Sequence, residues 1–456
     1  MSTLKVNKLR DTTGSTDAIV LDPSGGAVIA GVTTVSTVKV GSGVTISSDG
    51  DVFTTGITTS STVVVGSGVT ISESGIEASG IGITVANING QQISGRKNFI
   101  VNGEMKICQR AGTTSTAVTN GNEYVLDRWY VGTASGGGTS LNVQQVHGNP
   151  TGAPYGYAAS MKMTVAVADD GGSDSFNVVQ TRMENLDTNY LAFGTSQAKT
   201  VTLQFYVKSS LTGTFGGSLV SADFSKGYVF QYTINSADTW EKKVITIPGD
   251  TTSTADSVYN RGSATSLKGL VLYFDLGSGS NSEKSAANSW SATGTWGYGA
   301  RISGNVKLCA NAGADWSMTG CQLEVGSQAT EFEHRSFGDE LALCQRYYYR
   351  WTAGATNRYA CMFQAYSSTA AFGIIKQFPV VMRAAPTCST SGTYKPFGSD
   401  GSTSGHTAFS STVINKATKY EMVSNGWGGC SGIAAGNAVV IEASEAEAYM
   451  EAAAEL

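Results

Sequence analysis

Apolar and polar positions alternate with a period of two along much of this chain. Val38-Lys-Val40-Gly-Ser-Gly-Val44-Thr-Ile46-Ser47 is one instance, and that period marks a strand with one apolar face. The stretch Val40-GSGVTISSDGD-Val52 recurs as Val65-GSGVTISESGI-Glu77, an offset of 25 residues. The flanking Gly31-VTT and Gly56-ITT keep the same offset, a partial earlier copy ends at Gly25, and a later Gly82-IT slips by one. Ser-Asp-Gly and Ser-Gly close the strands with turns. A short unit read as two such strands cannot bury its own apolar face. It needs stacked neighbours or other chains. So few repeats favour three chains wound into a β-repeat shaft over a lone solenoid, and residues 31–97 are assigned to it.

From Asn98 to Arg335 the pattern predicts one large all-β domain. The expected strands are Phe99–Ile107, Arg128–Val131, Ser140–Val146, Ser160–Val167, Asn177–Arg182, Val201–Lys208, Tyr228–Ile234, Trp240–Ile247, Gly269–Leu276, Ser303–Leu308 and Trp316–Val325. Roughly ten strands without intervening helices predict a two-sheet sandwich of jelly-roll type. A Gly/Ser-rich loop over 277–295 is expected at one end. Over 336–350 the periodicity changes to a helix capped by Ser336, with Asp339 and Glu340 in its first turn. Leu341, Cys344 and Tyr348 form its apolar stripe, which either a three-fold axis or the chain's own domain would bury. Residues 351–456 read as a further β domain, with strands at Tyr359–Ala365, Thr369–Gln377, Thr387–Tyr394, Thr412–Val423 and Ala438–Ile441. The Glu/Ala-rich stretch from Glu442 to Leu456 predicts a terminal helix.

Composition reinforces the β reading. Charged residues are only 14% of the 456, and glycine numbers 56. The net charge of −5, with no basic patch, argues against a nucleic-acid partner. No apolar run reaches the ~18 residues of a membrane span. Met1–Arg10 has no apolar core, so no signal peptide is expected. Seven cysteines, an odd number without a CxxC, signal neither a disulfide framework nor a zinc site. Reduced cysteines fit folding in a cytosol.

Several motifs then bear on identity. Asn98-Phe-Ile-Val-Asn-Gly-Glu-Met-Lys-Ile-Cys-Gln-Arg110 resembles the "NLLINGDFRIWQR" opening of a module found in phage tail-fibre proteins. Asp127-Arg-Trp129 is similar to its "ADRW" motif, and Thr239-Trp-Glu-Lys-Lys-Val-Ile-Thr-Ile-Pro-Gly249 to its "TWQRVSVTIPG" strand. Met318-Thr-Gly-Cys-Gln-Leu-Glu-Val-Gly326 with Phe332-Glu-His-Arg335 resembles "ITGVQLEVG…FEHR". Glu340-Leu-Ala-Leu-Cys-Gln-Arg-Tyr-Tyr348 resembles "ELARCQRYY". Cys108 replaces the family's usual Trp, and Glu104 its Asp. The resemblance covers roughly residues 98–456, and the opening "MSTLKV" with its Gly-Val-Thr repeats looks like fibres of marine, cyanobacterial phages.

The resemblance implies a homotrimeric, non-enzymatic fibre or spike subunit of a virion, assembled in the host cytoplasm. Residues 1–30 would attach it to tail or baseplate proteins. The jelly roll, similar to carbohydrate-binding modules, and the C-terminal domain would meet a host-surface polysaccharide or receptor. The alternatives are a collar, neck or capsid-surface fibre, and a glycan-depolymerising tailspike.

Sugar contact calls for accessible aromatic rings beside polar groups. Trp290, Trp296 and Tyr298 in or beside the long loop, and Tyr394, Phe397 and Trp427 in the C-terminal domain, are the candidates. Trp129, Trp240 and Trp316 lie within expected strands and are assigned to the core. No cofactor is expected beyond a possible structural Ca²⁺. Its candidate ligands are Glu104 and Glu324, where carbohydrate-binding relatives can place carboxylates, and the loop carboxylates Asp169, Asp170 and Asp174. About six oxygen ligands would be needed. Gly428-Gly-Cys430-Ser-Gly432 has the shape of a nucleophile elbow, but no helix is expected after it, so it reads as a turn.

Overall fold

The computed structural model describes residues 97–456 apart from 120, 135–137, 170, 171, 285, 293–300, 398–405, 415 and 416. Before residue 97 it describes the backbone of nine short strands. The chain divides into two compact units, residues 1–85 and 86–456.

In the first unit the described strands form three antiparallel three-stranded sheets. The second sheet comprises Thr37–Val40, Val44–Ser47 and Val52–Thr54, the third Thr62–Val65, Val69–Ser72 and Gly75–Ala78. The 25-residue offset of the sequence reappears in the first strand pair of each copy, and the second pair slips by one residue. Val38 pairs with Ile46 and Ile46 with Val52; one copy later, Val63 pairs with Ile71 and Ile71 with Ile76. Each copy thus holds three strands, one more than the alternation alone indicated.

The second unit is built on an antiparallel two-sheet sandwich. Among the described residues its first sheet orders six strands as Thr116–Thr119, Ser140–His147, Ala159–Val167, Asp315–Val325, Val201–Ser209 and Glu241–Ile247. The second orders seven, as Asn122–Leu126, Trp129–Ala134, Phe176–Glu184, Lys268–Asp275, Gly213–Ser221, Lys226–Ile234 and Trp290–Ala292. Period-two patterning explains the interior. Leu203, Phe205 and Val207 from one sheet meet Phe215, Leu272 and Phe274 from the other, all fully buried. Trp316 crosses this core and donates from Nε1 to the Tyr232 hydroxyl at 3.2 Å.

Two expected strands of the sandwich come out differently, and a central strand appears where none was expected. Phe99–Ile107 is an irregular turn, because Asn102 and Met105 take φ of 58° and the Asn102 side chain bonds both Ile107 and the Asp127 carbonyl. Ser303–Leu308 is turn and 3₁₀ helix; only Arg301–Ile302 pairs there. Gly213–Ser221, not anticipated from its glycines, is a central strand. A Cβ on Gly217 would lie 2.4 Å from the Phe230 ring, so glycine is what lets that ring pack across it.

The helix runs over Phe337–Gln345, capped by the Ser336 Oγ, which accepts from Asp339 N at 3.1 Å. Cys344 packs on Val101 and Ile107 of the same chain, and Tyr348 is buried in a strand. Of the two alternatives for the apolar stripe, its own domain is the one that covers it.

Two sheets make the C-terminal domain. Six strands are ordered Tyr394–Phe397, Ala438–Ala443, Arg358–Ala365, Ala370–Gln377, Glu421–Gly428 and Ser411–Val413. Tyr348–Thr352, Tyr449–Ala453 and Thr387–Ser391 form a three-stranded sheet. The expected terminal helix is thus a strand over Tyr449–Ala453. Met450 and Ala452 are fully buried at alternate positions, and pairing on both sides overrides alanine's helix propensity.

Buried charges join the two domains. Arg128, 2% exposed, bonds the Glu455 carboxylate and the Arg182 carbonyl, with its guanidinium 3.6 Å from the Tyr347 ring centroid. Arg110 also reaches Glu455, at 3.1 Å. Arg383 donates to the Ala454 and Glu455 carbonyls, both at 2.8 Å, and to Ser266 O of the sandwich at 2.9 Å. Beside them Glu184 accepts from Arg346 Nε at 2.8 Å, from Tyr347 and from Ser266. Burial opposes ionisation of Glu184, but these donors outweigh it and hold its pKa at about 2.

Removing one partner of a buried pair strands the other charge. Glu455→Gln is expected to destabilise the unit by about 3–5 kcal/mol in urea unfolding, whereas Glu447→Gln on the exposed surface changes little. The depressed Glu184 pKa adds stability above its ordinary value of 4.5 that is lost as pH falls toward about 2. The stability gap between wild type and Glu184→Gln should close over that window; a gap that does not vary with pH would refute the assignment.

Candidate functional site

The outward face of the six-stranded sandwich sheet is largely covered by its own chain. Thr202, Gln204, Thr319, Gln322 and Glu324 point away from the core yet are 0–2% exposed. The 327–335 segment and the turn around Glu104 lie over them. Gln204 Nε2 donates to Thr330 O, Glu333 N to Gln322 Oε1, and Thr319 Oγ1 to Glu104 O. Polar groups so covered need partners; these two segments supply them to the Gln204 amide nitrogen, Gln322 and Thr319, and Thr202 Oγ1 donates to Gly326 O at 2.8 Å.

Past this cover the same face opens into an aromatic and cationic strip. Lys162 and Lys208 both lie opposite Ser317, so the three form one cross-strand row. Tyr206, two residues from Lys208, is half-buried and rests on Tyr157 at 5.2 Å. Trp240 stands just before its strand, half-buried, anchored by Nε1 donating to Pro150 O at 3.0 Å. The Lys208 ammonium lies 5.1 Å from the Trp240 ring centroid and donates to Thr151 O at 2.6 Å. Burial holds the Lys208 pKa below the usual lysine range, and neighbouring Lys162 adds to this. Lys162 is paired with Asp315 at 3.0 Å. From the same 148–157 loop, Tyr155 is 77% exposed. Trp240 is thus corrected from core to surface: the residues beside it, not its strand-like sequence, decide its exposure.

The sequence-derived aromatic candidates fare differently. Trp427 is fully buried against Phe363, Tyr394 and Phe409, and Tyr394 is 2% exposed. Both are core residues, which corrects their reading as ligand contacts. Trp290 is half-buried against Phe193, Tyr228 and Tyr259, and donates to Pro248 O at 2.7 Å. Trp296 and Tyr298 lie outside the described residues. Phe397 is half-buried, touches the exposed Tyr359 at 5.3 Å and lines a shallow cavity of about 170 Å³ with Ile433 and Asn437. A larger cavity, about 340 Å³, lies where the chain enters the domain, lined by Lys97, Phe99, Asp187, Tyr190 and Glu324.

The calcium ligand set does not fit a cation. Glu104 accepts from Ala158 N and Lys106 Nζ. Glu324 accepts from Thr330 N, Thr330 Oγ1 and Gln322 Nε2. Donor hydrogens therefore surround both carboxylates, where a metal would need bare oxygens. Asp174 accepts from Asn281 at 2.5 Å, Asp169 donates its backbone N–H to Cys309 O, and Asp170 lies outside the described residues. Among the described residues no three His, Cys, Asp or Glu side chains converge as a metal group would. All seven cysteines are unpaired. Cys430 is buried in a turn after Glu421–Gly428 with no helix behind it, and burial raises its pKa, the reverse of a nucleophile's need.

No family model and no curated protein matches the chain. Solved structures that resemble it include the enzymatically active domain of tailspike protein 4 of bacteriophage CBA120, at 9% identity and a TM-score of 0.24. That likeness covers 50% of this chain and 21% of the tailspike's length. A putative sugar-binding protein of Bacteroides thetaiotaomicron matches at 10% identity and a TM-score of 0.25, covering 50% of this chain and 100% of that one. A family 11 carbohydrate-binding module of Clostridium thermocellum, in complex with a mixed-linked tetrasaccharide, matches at 11% identity and a TM-score of 0.22, covering 48% and 100%.

The two tryptophans should separate cleanly in stability measurements. Trp427→Ala is expected to cost about 3–5 kcal/mol, as core aromatics do. Trp240→Ala should cost about 1 kcal/mol or less.

Proposed function

We propose that this chain is a non-catalytic, saccharide-binding subunit of a homotrimeric fibre or spike of a tailed-phage virion. The observation that carries the binding role is the strip of Trp240, Lys208 and Tyr206 with Tyr155 beside it. A sugar ring has an apolar face that stacks on indole or phenol and hydroxyls that bond to neighbouring polar groups. Lys162 and Lys208, on the two strands that flank buried Ser317, supply such groups in one row. Tyr206 and Lys208 stand on a paired strand and Trp240 is anchored to Pro150 O, so the geometry is preorganised.

The virion role is supported by the ordered motifs from Asn98 to Tyr348, and self-association by the 25-residue repeats, since short repeat units need stacked neighbours or other chains. Three weak sites on one axis would raise avidity without chemistry. Residues 1–30 would hold the fibre to other tail or baseplate proteins, and a host-surface polysaccharide would be the ligand.

Binding of the full chain to immobilised envelope polysaccharide tests this. Trp240→Ala and Lys208→Ala are each expected to weaken single-site affinity by about tenfold, the equivalent of one lost ring contact. Binding unaltered by both substitutions would dismiss the strip. Release of reducing sugar that responds to Asp or Glu substitution would overturn the non-catalytic reading.

A further inference from the structure

The outward face of the six-stranded C-terminal sheet carries an apolar row across five neighbouring strands. Phe397 pairs with Val440, and Val440 with Met362. The pairs Gln364 with Phe372 and Ala365 with Ala371 bring Ile374 opposite Met362, and Ile374 pairs with Val423. Met362 is 66% exposed and Ile374 50%; Phe397, Val440 and Val423 are half-buried. Tyr359 extends the row beside Phe397, and the Tyr366–Phe372 contact at 5.8 Å widens it. The alternate positions Phe363, Ile441 and Met422 form the domain core, so this is the sheet's second face. Its polar border includes the adjacent row Lys395–Glu442–Tyr359.

We infer that this face is a contact between copies of this chain. Its exposed side chains offer about 600 Å², approaching the ~800 Å² per partner of a standard interface and at the upper end of the ~300–600 Å² of a typical monomer's largest apolar patch, which is often functional. The middle of the row, Met362, Ile374, Val440 and Val423, is aliphatic and uncharged, with rings at its margins. It suits a partner strip that is equally flat and uncharged. A second copy provides one, and interfaces between identical subunits are the more apolar class. The inference rests on the self-association proposed above and assigns it a surface in the C-terminal domain.

Methionine oxidation tests it on the unmodified protein. Among the described methionines Met362 alone is exposed; Met105, Met161, Met163, Met183, Met318, Met382, Met422 and Met450 are all buried. Light scattering reports assembly, and peroxide treatment with mass spectrometry reports the oxidation rate at Met362. The expected result is an oligomer in which Met362 oxidises at least about tenfold more slowly than in the denatured chain, because oxidation follows solvent access. Ile374→Glu, or Val440→Lys should the first variant misfold, is expected to restore fast oxidation while circular dichroism is unchanged. An oligomer whose Met362 oxidises at the denatured rate overturns this surface but leaves assembly through the repeats standing. A monomeric wild type overturns both, and neither outcome touches saccharide binding at Trp240.

Discussion

Arg128 cannot stay buried without Glu455. A guanidinium withdrawn from water requires a carboxylate and fixed acceptors around it, and here these come from the far end of the chain. The last residues run beneath the sandwich as the strand Tyr449–Ala453, held by Arg128 and Arg110 from one domain and Arg383 from the other. This junction explains why the sandwich and the C-terminal sheets belong to one compact unit.

The same logic of internal satisfaction positions the candidate site. The outward face of the first sandwich sheet is a ladder of Thr, Gln and Glu side chains that the 327–335 segment and the Glu104 turn seal from water. The end nearest the 148–157 loop stays open, and there Trp240, Tyr206 and Lys208 share an accessible face. The carboxylates that resembled metal ligands belong to the sealing network. Their lone pairs are engaged by donors, so their role is structural.

Much of the architecture was legible because it follows from local pattern. Strands such as Val201–Ser209 and Asp315–Val325 alternate cleanly, and Ser336 with Asp339 announces a helix start. Where local pattern and packing disagree, pattern failed. Gly213–Ser221 was absent from the expected strands, yet it is central because the Phe230 ring fills the gap at Gly217. Tyr449–Ala453 has helix-forming residues but is a strand because partners flank it on both sides.

The sequence by itself determined that this is a mainly β chain with a repeated N-terminal strand motif, a sandwich, one capped helix and a distal β domain. Hydrophobic period, caps and turn residues act over a few positions, and they can be read in order. Only the tertiary structure decided which aromatic rings meet solvent. Trp240 and Trp427 both stand in strand-like surroundings, yet one lies at an open sheet end and the other at the centre of a core. That difference is set by residues distant in sequence, as are the pairing of Arg128 with Glu455 and the alignment of Phe397, Met362 and Ile374 into one exposed row.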